Sequence, residues 1–156
     1  MITVRRATEE DAERLLAWAN DPVTRAAGFQ PSPIDQRTHG LWLEERLASP
    51  TTRLFVGLDG DEPVGQVRLA ADPDGRVEVG ISVAPEARGR GIGRSLLDAG
   101  LAAGLADPDL HIEDFVARIR PDNAASLALF VGAGFRLAGT DEVGGFACLV
   151  YERAAG

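Results

Sequence analysis

Apolar positions along the chain switch between a period near two and a period near 3.6, and the switches mark out elements from end to end. Ile2 to Arg6 reads as a short strand. Thr8 with Asp11 three residues on is a capping-box variant, and Ala12, Leu15, Leu16 and Ala19 give the stripe of a helix packed on one side. Asn20-Asp21-Pro22 is read as its end, and residues 23–34, with Gly28, Pro31 and Pro33, as a loop. A second helix is predicted from about Asp35 to Ala48. Thr52 to Leu58 and Pro63 to Ala70 read as a hairpin turned at Asp59-Gly60; Asp72-Pro73-Asp74-Gly75 turns the chain into a third strand, Arg76 to Val83. A helix follows over Gly91 to Ala106, then a strand from Ile112 to Ile119. Asp122 or Asn123 caps a further helix that Gly134 ends. Phe135 to Thr140 and Phe146 to Arg153 read as a closing antiparallel pair.

The predicted order, β-α-α-β-β-β-α-β-α-β-β, is α+β (mixed α/β), with hairpins first and a βαβ unit in the second half. No repeat or linker divides residues 1–156, so one domain is expected. Apolar residues make up 45% and charged residues 26%, which suits an ordinary globular core. No run reaches the roughly 18 apolar residues of a membrane span. The first residues lack the apolar stretch of a signal peptide, and a lone Cys148 allows no internal disulfide, so a cytoplasmic protein without membrane partners is expected. The net charge of −8 argues against nucleic acid.

Against that acidic background, Arg88, Arg90 and Arg94 stand together with no acid among them, interleaved with Gly89, Gly91 and Gly93. The segment Arg88-Gly89-Arg90-Gly91-Ile92-Gly93-Arg94-Ser95 lies between a strand and an amphipathic helix. Glycines there let backbone amides approach a ligand, and the helix start adds free N–H groups and the positive end of its dipole. Together they form a cradle for a pyrophosphate. The Gly-Lys-Ser/Thr of a P-loop is absent, and glycines at 89, 91 and 93 do not give the dinucleotide spacing.

Arg88-Gly89-Arg90-Gly91-Ile92-Gly93 resembles the Arg/Gln-x-x-Gly-x-Gly/Ala signature of the GNAT superfamily, the general N-acetyltransferases. The segment from Asn123 to Phe135 resembles that family's Asn-x-x-Ala/Ser-x-x-Leu-Tyr/Phe-x-x-x-Gly-Phe stretch, and the element order is similar from about residue 2 to 153. The resemblance implies a central mixed sheet of about seven strands with four helices, and acetyl-CoA in a cleft where strands 76–83 and 112–119 splay apart. It implies that the backbone of Ile81, Ser82 and Val83 holds the pantetheine and acetyl carbonyl, and that Arg88 to Ser95, Ile92 included, hold the pyrophosphate. Asn123, Ser126 and Phe130 then line the other side of the coenzyme. A substrate amine attacks the thioester directly.

The reaction asks for a base and for a donor to the departing thiolate. Along 77–83, Val77, Val79, Ile81 and Val83 share one face, and Glu78, Gly80 and Ser82 share the other. Glu78 is the candidate base, acting directly or through water; the plainer reading is a partly exposed charge at a strand start. Many family members carry Tyr where this chain has Phe130, which has no proton to give. Water, a backbone amide or Tyr151 remain, and the acid role stays unassigned.

On the acceptor side, Trp18, Asn20-Asp21-Pro22, Phe29, His39 and Trp42 are similar to a GNAT subgroup that acetylates amino sugars on nucleotides. Such aromatics suit stacking on a base or sugar, and Trp18 and Trp42 equally suit core anchors. The expected acceptor is therefore a small-molecule amine, with a nucleotide-linked amino sugar as the specific expectation. The alternatives are another small amine, a protein N-terminus as in enzymes of the RimJ/RimL type, or a non-catalytic acetyl-CoA-binding module. A homodimer is compatible with the family. His39 and His111 have no further ligand at metal spacing, so no metal is expected, and Cys148 reads as a small buried hydrophobe.

Overall fold

The computed structural model describes all residues from Met1 to Gly156. The chain runs β1 (Ile2–Arg6), a 3-10 turn (Glu9–Asp11), α1 (Ala12–Ala19), α2 (Pro22–Ala27), α3 (Gln36–Ala48), β2 (Thr52–Asp59), β3 (Glu62–Ala71), β4 (Arg76–Val83), a second 3-10 turn (Pro85–Ala87), α4 (Ile92–Ala106), β5 (Asp114–Ile119), α5 (Ala124–Gly132), β6 (Arg136–Val143) and β7 (Phe146–Ala154). The seven strands form one sheet in the order β1-β2-β3-β4-β5-β7-β6. Every neighbouring pair is antiparallel except β4 and β5. The mixed fold and the seven strands agree with the sequence reading. None of the helices is long and apolar enough to cross a membrane.

One element differs. The stretch read as a loop contains α2, which makes five helices rather than four. Asp21 accepts from the Thr24 amide at 3.1 Å and Pro22 takes the first helical position. The Asn-Asp-Pro sequence therefore closes α1 and opens a new helix, because proline's missing N–H costs nothing where no partner exists. Thr8 and Asp11 do form the reciprocal capping box. Asp35 caps α3 and Asn123 caps α5.

The core lies between the sheet and α4 on one face, and between the sheet and α1 and α3 on the other. On β3 and β4, Val67, Leu69, Val77 and Val79 are buried; a side chain on Gly100 or Gly104 of α4 would collide with Val67 or Leu69. The alternate positions Gln66, Arg68, Ala70, Glu78, Gly80 and Ser82 consequently face away from α4, in register across the two strands: Gln66 beside Ser82, Arg68 beside Gly80, Ala70 beside Glu78.

Candidate active site

Strands β4 and β5 are paired only at Arg76–Asp114, Val77–Phe115 and Glu78–Val116. Beyond Glu78 they part, leaving the β4 edge from Val79 to Val83 without a strand partner on that side. Such an edge offers unpaired N–H and C=O groups to an extended ligand. Ile81, Ser82 and Val83 are on this open length. Ser82 accepts a 3.3 Å hydrogen bond from Gln66.

The loop after β4 leads into α4, whose N-cap, Gly91, is left-handed at φ 72°, ψ 22° and supplies no side-chain cap. Gly89 is also left-handed, at φ 79°. None of the backbone hydrogen bonds outside the regular elements is donated by an amide of residues 89–95. A Cβ on Gly89 or Gly91 would meet nothing within 4 Å. Free amides, a helix start and open space before them fit the pyrophosphate of a coenzyme. The loop's arginine side chains are already engaged: Arg88 donates to Asp21, Arg90 pairs with Glu62 at 3.1 Å and Arg94 with Asp98 at 3.1 Å. The charge island in the sequence is thus paired with acids, Asp21 and Glu62 from other elements and Asp98 from α4 itself, and the free donors of the loop are those of its backbone.

Helix α2 spans the mouth of the splay. Arg88, beyond the end of β4, donates to Asp21 at 2.6 Å and to Thr24 Oγ1 at 3.0 Å. Arg120, just beyond β5, donates to the carbonyls of Ala26 at 3.0 Å and Gly28 at 3.1 Å, with its guanidinium 4.4 Å from the ring of Phe146. A groove of about 520 Å³ runs between α2 and the start of α5, lined by Pro22, Val23, Ala26, Ala27 and residues 122–125. Asn123 borders it; its Oδ1 accepts from the Ser126 amide at 3.2 Å, which leaves its side-chain amide hydrogens free.

Glu78 is 43% exposed on the face away from α4, and its Oε2 accepts a hydrogen bond from Arg118. Arg118 also holds Asp141 at 3.1 Å; the Glu142 amide, and after it Arg118, keep the Asp141 carboxyl below its ordinary range. A recess of about 340 Å³ opens beside Glu78, with Arg118, Arg76 and Val116 in its wall. Arg118 was missed in the sequence. Its position between buried Ala117 and Ile119 put it on the outward face of β5, and pairing β5 with β4 is what brings it to Glu78.

Several predicted residues are placed away from an open site. Phe130 is 3% exposed, with its ring and that of Phe135 packed edge to face at 5.0 Å. Trp18 is 5% exposed within the core. Asn20 spends its side chain on both backbone groups of Ile34, at 2.7 Å each, and so fixes the loop before α3. The carbonyl of Phe29 lies against Gly144, which seats its loop on the β6–β7 turn. His39 is buried and tilted on Trp42 at 5.4 Å; burial lowers its pKa, and it is neutral at neutral pH. Trp42 is half-buried with Arg46 over its ring at 5.8 Å.

An open strand edge ending in an uncapped, glycine-turned helix start suits an extended ligand that carries a pyrophosphate. Residues 2–136 match the acetyltransferase (GNAT) domain family, and the chain belongs to it. Acetyl-CoA is the coenzyme of that acyltransferase class. The chain is 32% identical to a mycothiol acetyltransferase of Mycobacterium ulcerans, over 82% of this chain and 44% of that protein. It therefore spans less than half the length of that relative. It is 31% identical to an L-methionine sulfoximine/L-methionine sulfone acetyltransferase of Pseudomonas paraeruginosa, over 88% of this chain and 81% of that one. The fold superimposes on aminoglycoside acetyltransferase AAC(6')-Ib in complex with coenzyme A and kanamycin with a TM-score of 0.85 at 18% identity, covering 99% and 95% of the two chains.

Proposed function

We propose that this chain moves an acetyl group from acetyl-CoA to the primary amine of a small molecule, with Glu78 as the base. The observation that carries the reading is continuity along one strand. Glu78 stands where β4 leaves β5, the open edge at Ile81 to Val83 follows, and the free amides of 89–95 come next. When bound, acetyl-CoA supplies an activated acyl thioester for amine attack. The amides of Gly89 to Ser95 bind its pyrophosphate, the backbone of Ile81 and Val83 pairs with its extended arm, and Asn123 and Ser126 border it from α5. Glu78 takes the amine proton on the oxygen that Arg118 leaves free, with the Arg68 guanidinium over Gly80 beside it. Arg118 fixes the carboxylate's direction. Phe130 offers no proton, and Tyr151, paired with Ala117 in β7, lies on the opposite face from Glu78.

The acceptor reading moves from a nucleotide-linked amino sugar toward other small amines. Trp18 lies in the core and Asn20 is hydrogen-bonded to Ile34, which favours an acceptor other than a stacked sugar nucleotide. The names of the two relatives above, mycothiol and methionine sulfoximine, support small molecules. The test is thiol release over a panel of amino acids, polyamines, peptides and UDP- and dTDP-amino sugars. With the best acceptor, Glu78→Gln lowers kcat by about 10²-fold at unchanged coenzyme affinity. Unchanged kcat in that variant removes Glu78 from the base role; turnover confined to the amino sugars overturns the acceptor class.

A further inference from the structure

We propose that Arg68 is the anchor for a carboxylate on the acceptor, so that the substrate class is amino acids rather than simple amines. The proposal deepens the acetyltransfer reading and rests on it. Arg68 projects from β3 on the same face as Glu78 and lies over Gly80: a methyl group there would be 3.3 Å from its Nη2. Other guanidiniums on this face have acids: Arg118 has Glu78 and Asp141, and Arg76 has Glu152. Arg68 has no hydrogen bond and no ion pair, although the chain carries 24 acidic residues against 16 basic ones. Burial pushes its pKa down; Glu78 offsets this in part and the like charge of Arg46 adds to it. A partly buried guanidinium with no hydrogen bond or ion pair keeps its N–H donors free for a ligand.

A second unsatisfied group shares the row. Gln66 is two residues along β3 on the same face, and its Oε1 is buried with no partner. Arg68 and Glu78 are diagonal neighbours across the β3–β4 pair, with backbones about 7–8 Å apart. A molecule with an amine and a carboxylate a few bonds apart spans that diagonal. The amine meets Glu78 where the strands part, the carboxylate meets the planar fork of Arg68, and the free Gln66 oxygen, on the far side of Arg68, is left for a donor on the ligand's side chain. Two parallel N–H···O bonds to a carboxylate are what a guanidinium forms best.

The test uses protein loaded with coenzyme A, so that no turnover occurs. L-Amino acids and their carboxamides are titrated by calorimetry at about pH 6, where both amines are protonated. The best amino acid is expected to bind at least about tenfold more tightly than its carboxamide, or about 1.4 kcal/mol. In Arg68→Gln that ratio falls to within about threefold, and Arg68→Lys keeps part of it, while coenzyme affinity and melting temperature stay as in the parent. If no amino acid outbinds its carboxamide, or if Arg68→Gln keeps the preference, the proposal is overturned. The parent comparison stands alone should Arg68→Gln not fold. The two readings fail separately: thiol release without carboxylate preference sinks the anchor alone, and a preference lost in Arg68→Gln with no thiol release on any amine sinks acetyl transfer.

Discussion

Arg88, in the loop after β4, donates a 2.6 Å hydrogen bond to Asp21, the residue that caps α2. Asp21 thus holds Arg88 and the helix start together, while Arg120 grips the other end of the same helix from beyond β5. A six-residue helix with no buried residue has little packing of its own, so these polar ties fix its place over the splay.

Asp21→Ala should therefore loosen two things at once. Backbone amides of residues 22–27 are expected to exchange faster with solvent, and the KM for acetyl-CoA is expected to rise severalfold because the loop carrying the phosphate-facing amides loses its brace. Arg88 and the Thr24 amide hold the Asp21 carboxyl below its ordinary pKa. The brace is present above the carboxylate's usual range and is lost as pH falls through that lowered value. Hydrogen exchange and coenzyme KM that match the parent would rule the brace out.

Asp11 governs the acid limb of stability. Its side chain is 1% exposed and receives Arg5 through two bonds of 2.8 Å, Arg14 at 2.5 Å and the Thr8 amide at 2.9 Å. Arg5 is the largest cause that lowers its pKa from 3.8 to about 2, against the opposing effect of burial. The folded value is depressed, so the stabilisation is complete above the unfolded value and drains away as pH falls from about 4 to about 2. About 2 kcal/mol is at stake. Urea midpoints across that window should fall steeply in the parent and more shallowly in Asp11→Asn, which has already lost most of the contribution at neutral pH. Parallel curves for the two proteins would contradict it.

How much of this was legible in the sequence depends on the range of the interaction. The period-two and period-3.6 patterns report on local geometry and on one buried face, so every strand, α1 and α3 to α5 could be found. Helix α2 has no apolar stripe to report, and its only mark was Asp-Pro at its start. The glycine-studded loop was readable because its left-handed turns and free amides belong to consecutive residues. Arg118, Arg120 and Arg68 were not, because each acts on a residue at least ten positions away that only strand register or helix placement brings near. Phe130 and Trp18 show the converse limit: a residue type that suits a ligand equally suits a core, and the structure buries both.

Glycines inside helices show the same limit, and two of them give opposite predictions. A Cβ on Gly100 of α4 would sit 2.7 Å from Val67 Cγ1 and 2.9 Å from its Cβ, whereas one on Gly40 of α3 would meet nothing within 4 Å. Alanine gains roughly 1 kcal/mol over glycine in a helix interior. At Gly40 that gain is realised, and Gly40→Ala should raise the melting temperature by a few degrees. At Gly100 overpacking of about 1–3 kcal/mol outweighs it. Gly100→Ala should melt lower than the parent, and Val67→Ala in the same chain should recover part of the loss.

Gly91 separates the coenzyme contact from backbone strain. At φ 72° it pays nothing for a left-handed turn that costs other residues about 1–2 kcal/mol. Gly60, in the β2–β3 turn, has φ 61° and the same empty surroundings, but lies away from the free amides of 89–95. Gly91→Ala and Gly60→Ala should thus lose similar stability, about 1 kcal/mol or a few degrees in melting temperature. They should differ at the ligand. The new methyl at 91 projects into the space that the pyrophosphate enters, so the coenzyme dissociation constant should rise at least about tenfold. At 60 it should stay within about twofold of the parent. Calorimetry with coenzyme A on both variants decides the matter: equal affinities would place the pyrophosphate elsewhere and detach the loop from coenzyme binding.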